Sequence, residues 1–168
     1  MKRVAALGLD ADTRGVGIVQ SSVLSALAYA LAVGYDALGL PGGDALSVSI
    51  ALAWFVLSLV IWSVAFAQAV VRSTRGDEIQ VASLFFLQTS APSGVRVRML
   101  GIAGVFLVIT IVTLATNPVG FLANMLPIGW AGLWGARHGT YPERNDPRYT
   151  GRTDGRYRQR ANQNRRPR

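Results

Sequence analysis

The chain has 168 residues, 51% of them hydrophobic, and a formal charge of +8. It has no cysteine, which excludes a disulfide framework, a thiolate nucleophile and a cysteine-ligated metal. From Arg137 onward ten arginines face three acidic residues, so +7 of the charge sits in the last stretch and the rest is nearly neutral and apolar. That division points to a membrane body with a basic appendage.

Residues 1–14 read as a short cytoplasmic segment containing Lys2, Arg3 and Arg14. No charged residue or histidine then occurs from Gly15 to Tyr35, a run of 21 residues. This is close to the ~20 residues that cross a ~30 Å hydrocarbon layer. A transmembrane helix is expected at 15–35. Ala28-Tyr29-Ala30 could suit a signal-peptide cleavage site, but the stretch before the run is long and acidic as well as basic, which favours an uncleaved span. Ser22, Ala26, Ala30 and Gly34 recur every four residues and are expected to form a helix-packing stripe, because small residues let backbones approach in lipid.

The second charge-free run, Ala45 to Val71, has 27 residues and is expected to span as helix 45–71. Trp54 and Trp62 lie inside it, where packing is their expected role. The loop that follows contains "DEIQVASLFFLQ". Helical periodicity gathers Ile79, Val81, Ala82, Phe85 and Phe86 on one arc, with Leu84 and Leu87 blurring the opposite one. An amphipathic helix at about 75–89 is expected, lying in the cytoplasmic interface or tucked against the floor of the bundle.

The third run, Met99 to Ala136, is too long for one span and carries the turn signal Asn117-Pro118 at its middle. Two helices, 99–116 and 119–136, are expected; a re-entrant hairpin is the alternative. The last helix repeats the small-residue row with Ala123, Pro127, Ala131 and Gly135, of which Ala131 and Gly135 are candidate packing residues. Pro127 is expected to kink it. Asn124 is a candidate polar lining residue, with pairing to a neighbouring helix as the competing role. Trp130 and Trp134 fit an interfacial aromatic belt, and His138 a headgroup-level position.

Residues 137–168 are expected to be a disordered cytoplasmic tail, since so few apolar residues cannot offset the ordering entropy. Within it YPERNDPR, YTGRTDGR and YRQRANQN form an eight-residue cadence headed by Tyr141, Tyr149 and Tyr157. Arg144, Arg148, Arg152, Arg156, Arg158, Arg160, Arg165, Arg166 and Arg168 are the candidate contacts to an anionic surface. Anionic lipid is the expected partner; nucleic acid, which would use arginine on phosphate and tyrosine on bases, is disfavoured.

With four spans, all seventeen basic residues fall on one side, and the other side keeps Asp36 and Asp44. Both termini are therefore expected to be cytoplasmic. The body is an all-α integral membrane domain, 15–136, of two helical hairpins. No ionisable residue lies inside a span, and no nucleophile elbow, phosphate loop or paired carboxylate is present. No cofactor or metal is expected, and no enzyme activity.

The stretch from 45 to 144, with its loop "DEIQVASLFFL" and exit "GLWGARHGTYPER", resembles a family of small multi-span membrane proteins of actinobacterial type. That family has no assigned activity. The resemblance implies a bacterial inner-membrane location and transfers no site residue. The expected function is that of an accessory or scaffold protein, with a membrane-protein partner or a second copy as possible associates. The alternative is a small transporter or channel subunit with Asn124 and Pro127 lining the path.

Overall fold

The structure, a computed structural model, describes residues 15–144. Five α-helices and one 3-10 helix follow in order: α1 Val16–Ala37, α2 Gly43–Thr74, α3 Val81–Phe85, α4 Ser93–Thr113, the 3-10 helix Pro118–Asn124 and α5 Met125–His138. Four segments are long and apolar enough to cross a membrane: α1, α2, α4, and the 3-10 helix joined to α5. The described residues thus form the all-helical body, two hairpins, of a multi-pass membrane protein.

The first hairpin closes through Leu38–Gly42. Gly42 has φ 76°, a left-handed conformation suited to glycine. At Gly43 a Cβ would stand 2.7 Å from the Cα of Asp36, so the two helices meet backbone to backbone. α2 has 32 residues, which is about 48 Å of helix at ~1.5 Å per residue and well beyond a ~30 Å core. Its surplus turns, ending at Arg72–Thr74, become a wall for later segments.

α4 begins at Ser93, six residues before the charge-free run, with Pro92 as its N-cap. Arg96 and Arg98 therefore sit on its first turns, where long side chains can carry their charge out to water. The helix stops at Thr113, and Asn117 leaves the helical region ahead of Pro118, as proline favours. The Asn117 side chain accepts from the Gly120 amide at 3.0 Å and so starts the 3-10 helix.

Pro127 does not mark the irregularity expected there. It lies in the first turn of α5, where the missing amide costs no helical bond. The change of helix type falls at Asn124–Met125 instead.

α5 is the central post. It packs on α1, α2, α3 and α4. The best apolar window of this last span is 61% buried, against 22% in α2 and 17% in α4. The outer helices turn leucine and valine outward instead, as with Leu24 and Leu31 of α1, Val56 and Val60 of α2, and Val108 and Val112 of α4. In water such a surface would aggregate; in a bilayer it is the lipid-facing surface.

Small residues on α5 make the central position possible. A Cβ on Gly132 would collide with the Phe85 ring, and one on Gly129 would stand 2.8 Å from Trp62. Phe85 stacks on Trp62 with centroids 4.2 Å apart and also meets Phe66 at 5.2 Å. Trp54 and Trp62 pack as expected, and each ties α2 to a neighbour: Trp54 Nε1 donates to Ser25 O and Trp62 Nε1 to Met125 O, both at 3.0 Å.

Three expectations are corrected here. The loop helix is five residues, not fifteen. Gly76 has φ 110° and Gln80 is extended, so residues before Val81 run alongside the segment around Pro142 instead of coiling. Its buried side chains are Leu84, Phe85 and Leu87, while Val81 and Phe86 are exposed. The leucines that blurred the amphipathic pattern are the anchor against α5. Leu87 holds φ 54°, an uncommon value for leucine, and is fully buried, so packing fixes it there.

Gly34 does not pack inside the bundle: it is exposed, and no atom from another element lies within 4 Å of a Cβ built on it. Four-residue steps advance about 40° beyond a full turn, so three of them drift about 120°. The buried path on α1 instead mixes three- and four-residue steps through Ile18, Ser22, Ser25, Tyr29 and Val33. Trp134, in turn, is core and not belt, being 2% exposed beneath Gly15.

Candidate functional site

Two polar assemblies organise the bundle, one at each end. At the end carrying Arg75, Arg96 and Arg98, the centre is Arg72. Its Nε lies 2.7 Å from Asp77 Oδ2, and its Nη1 donates to Ala136 O at 3.2 Å and Gly139 O at 2.9 Å. A cation on these last carbonyls of α5 offsets the negative end of the helix dipole. The guanidinium carbon also stands 4.8 Å from the centroid of the Tyr141 ring. One side chain thus joins α2, the loop and the exit from α5.

Backbone pairing reinforces the clasp. Glu78 N donates to Pro142 O at 2.9 Å, Arg144 N to Gly76 O at 2.7 Å and Thr140 N to Ser90 O at 2.9 Å. Asp77 and Glu143 form an antiparallel bridge. Arg144 Nη2 donates to Ser73 Oγ at 2.7 Å, and Arg137 Nε to Gln68 Oε1 at 3.2 Å. Burial pushes the Tyr141 phenol above its ordinary pKa of 10.0, opposed by Ser90 and by the charge of Arg72.

The expected tail therefore does not begin at 137. Residues 137–144 are ordered on the floor, because Arg72, Tyr141 and the backbone pairs supply the contacts that composition alone does not reveal. Arg144 donates to Ser73 from a half-buried position. Arg148, Arg152, Arg156, Arg158, Arg160, Arg165, Arg166 and Arg168 lie outside the described residues, as do two of the three repeat tyrosines, Tyr149 and Tyr157.

At the opposite end a chain of hydrogen bonds runs into the bundle. Ser47 Oγ donates to Asp36 Oδ2 at 3.0 Å and accepts from Asn117 Nδ2 at 3.1 Å. The Gly120 carbonyl accepts from Tyr29 Oη at 3.2 Å and from Thr110 Oγ1 at 3.5 Å. Asn124 Nδ2 donates to Thr110 Oγ1 at 3.0 Å and to Phe121 O at 3.3 Å. Ser47 is fully buried and Asn117 is 1% exposed, so these bonds form away from water. Asn124 thereby joins two helices, and its Oδ1 is buried with no hydrogen-bond partner among the described residues.

Of the candidate packing residues, Ser22, Ala131 and Gly135 are buried, Ala26 and Ala30 are half-buried, and Gly34 is exposed. A Cβ on Gly135 would stand 2.5 Å from Leu84 O, which makes this residue the seat of the loop. The residues that pattern reading passed over are Arg72, Asp77, Ser47 and Asn117 as bonded partners. Arg72 is the first charge after a 27-residue run, a faint signal for a helix-end clasp. Nothing in the spacing joins it to Ala136 or Tyr141. Among the described residues no group of three or more His, Asp or Glu could hold a metal ion. No family model, curated protein or solved structure matches the chain.

Proposed function

We propose that the chain is a non-enzymatic membrane scaffold whose four-span body presents an arginine-rich C-terminal segment to anionic lipid headgroups. The observation that carries this reading is the clasp at the floor. Arg72 and the 76–78/142–144 backbone pairs fix the exit point of the segment on the bundle end that already carries Arg75, Arg96 and Arg98. Eight arginines and two aspartates follow Arg144, so a strongly cationic segment starts at headgroup level. Clustering of the basic residues at one end supports a cytoplasmic location for both termini in a bacterial inner membrane.

The test uses the full chain in nanodiscs of neutral lipid, offered vesicles of anionic or neutral composition. Capture of anionic vesicles only, released by salt and unchanged when 145–168 is scrambled, is the expected result. Capture that requires the native order, or that fails when Tyr149 and Tyr157 become alanine, would point to a partner read by sequence and overturn the lipid reading.

The hydrogen-bonded chain from Asp36 to Asn117 and from Gly120 to Asn124 supports a second reading, a small channel or transporter subunit. Its test is flux of protons or small cations across proteoliposomes, lost on Asn124→Leu.

A further inference from the structure

A groove of about 380 Å³ lies on the outer surface between α1 and α4, away from both polar assemblies. Its floor is made of Ala26, Ala30 and Gly101, and its walls include Val23 and Val105. Along α4 it runs from Val97 to Val105, about 12 Å at ~1.5 Å per residue. The volume falls within the ~300–1,000 Å³ of small-molecule sites. One lining residue is charged: Arg98, on the second turn of α4 and so at the basic end of the bundle.

We infer that this groove holds one anionic phospholipid, an acyl chain lying on Ala26, Ala30 and Gly101 and the phosphate on Arg98. The site is separate from the C-terminal segment and stands whether or not that segment binds lipid. The small residues explain the hollow: Gly101 has nothing within 4 Å of a Cβ position, and Ala26 and Ala30 are only half covered by the protein. The stripe on α1 that fails as helix packing over its second half thus gains an occupant. Charge complementarity decides which one. Arg98 is half-buried, and the ion pair between described residues is Arg72–Asp77, which leaves no carboxylate on Arg98 among them. Within the spans of a second copy the acidic residues are Asp36 and Asp44, both at the end away from Arg98, so those spans could fill the groove but not answer the guanidinium. A phospholipid supplies both parts, chain below and phosphate above. A zwitterionic phospholipid carries the same phosphate but adds a quaternary ammonium that the guanidinium repels, so this planar, several-donor contact favours an anionic headgroup.

Native mass spectrometry of the full chain, with phosphatidylglycerol and phosphatidylcholine of identical acyl chains, reads the site directly. One phosphatidylglycerol per chain should survive activation, at about tenfold greater retention than phosphatidylcholine, whose added choline cation opposes Arg98. Arg98→Gln should abolish that preference, and Gly101→Leu, which grows into open space, should displace both lipids. Ala30→Leu on the facing wall gives a second occlusion if Gly101→Leu lowers the melting temperature. Replacing the eight arginines after Arg144 by glutamine should leave the retained lipid in place. Equal retention of the two lipids, loss of retention in the glutamine-tail variant, or insensitivity to both occluding substitutions would overturn the assignment. So would a dimer that Gly101→Leu dissociates while lipid retention is unchanged, which would make the groove a contact between copies.

Discussion

α1 and α5 both carry small residues every four positions, but they occupy different places in the bundle. On α5 the row is buried wherever it points, because α1, α2, α3 and α4 surround that helix. On α1, an outer helix, the same spacing winds from buried Ser22 to exposed Gly34. A small-residue row therefore reports tight packing on a central helix, and only half a row does so on an outer one. Position in the bundle, not the motif, sets its energetic value.

The largest expected effect sharpens that contrast. Gly135→Leu drives a side chain into the Leu84 carbonyl, a backbone atom that cannot rotate away. It should cost more than the roughly 1–3 kcal/mol of ordinary overpacking. Gly34→Leu, facing outward with nothing near it, should stay within about 0.5 kcal/mol of the parent. Thermal unfolding in detergent measures both; equal losses would remove the distinction between the helices.

A middle-sized effect is expected at the floor. Arg72→Met removes an ion pair and two helix-end carbonyl contacts while keeping much of the volume. The group is partly exposed, so the cost should be about 1–2 kcal/mol. The sharper readout is local: proteolysis after Arg144 or Arg137 should accelerate as the 139–144 segment leaves the wall of α2. Asn117→Ala, which removes the bond to Ser47 and the cap on the Gly120 amide at the opposite end, should cost a similar amount, about 1–2 kcal/mol.

These magnitudes follow what could be read from residues alone. Charge-free runs located all four spans to within a few residues at most ends, because desolvation of charge in lipid is the dominant constraint. α4 starts six residues ahead of its charge-free run, since Arg96 and Arg98 can reach water from inside a helix. The paired contacts at both ends were not legible. Arg72 meets Ala136 and Tyr141, 64 and more positions away, and no periodicity encodes such a meeting. The loop was read as amphipathic, but its exposed and buried sides depend on which face α5 offers glycine to, namely Gly132 and Gly135 beneath Phe85 and Leu84.

The smallest effect concerns pH. Burial raises the Tyr141 pKa above 10.0 in the folded state, so the neutral phenol is favoured there. Between the unfolded and folded values the unfolded chain holds fewer protons, and stability falls as pH rises. The contribution is complete below about pH 10 and is lost above it. Tyr141→Phe should remove that alkaline slope and leave stability at neutral pH nearly unchanged, as followed by melting temperature from pH 8 to 11.

The central claim is that the basic end of the bundle, with the clasp and the start of the arginine-rich segment, faces the cytoplasm. The chain has no cysteine, so single cysteines report without background. Leu40→Cys, in the exposed turn between α1 and α2, and Arg75→Cys, beside the clasp, lie at opposite ends. In intact cells an impermeant maleimide should label position 40 and leave position 75 untouched until the membrane is opened. Labelling of position 75 from outside, alone or together with position 40, would contradict the account.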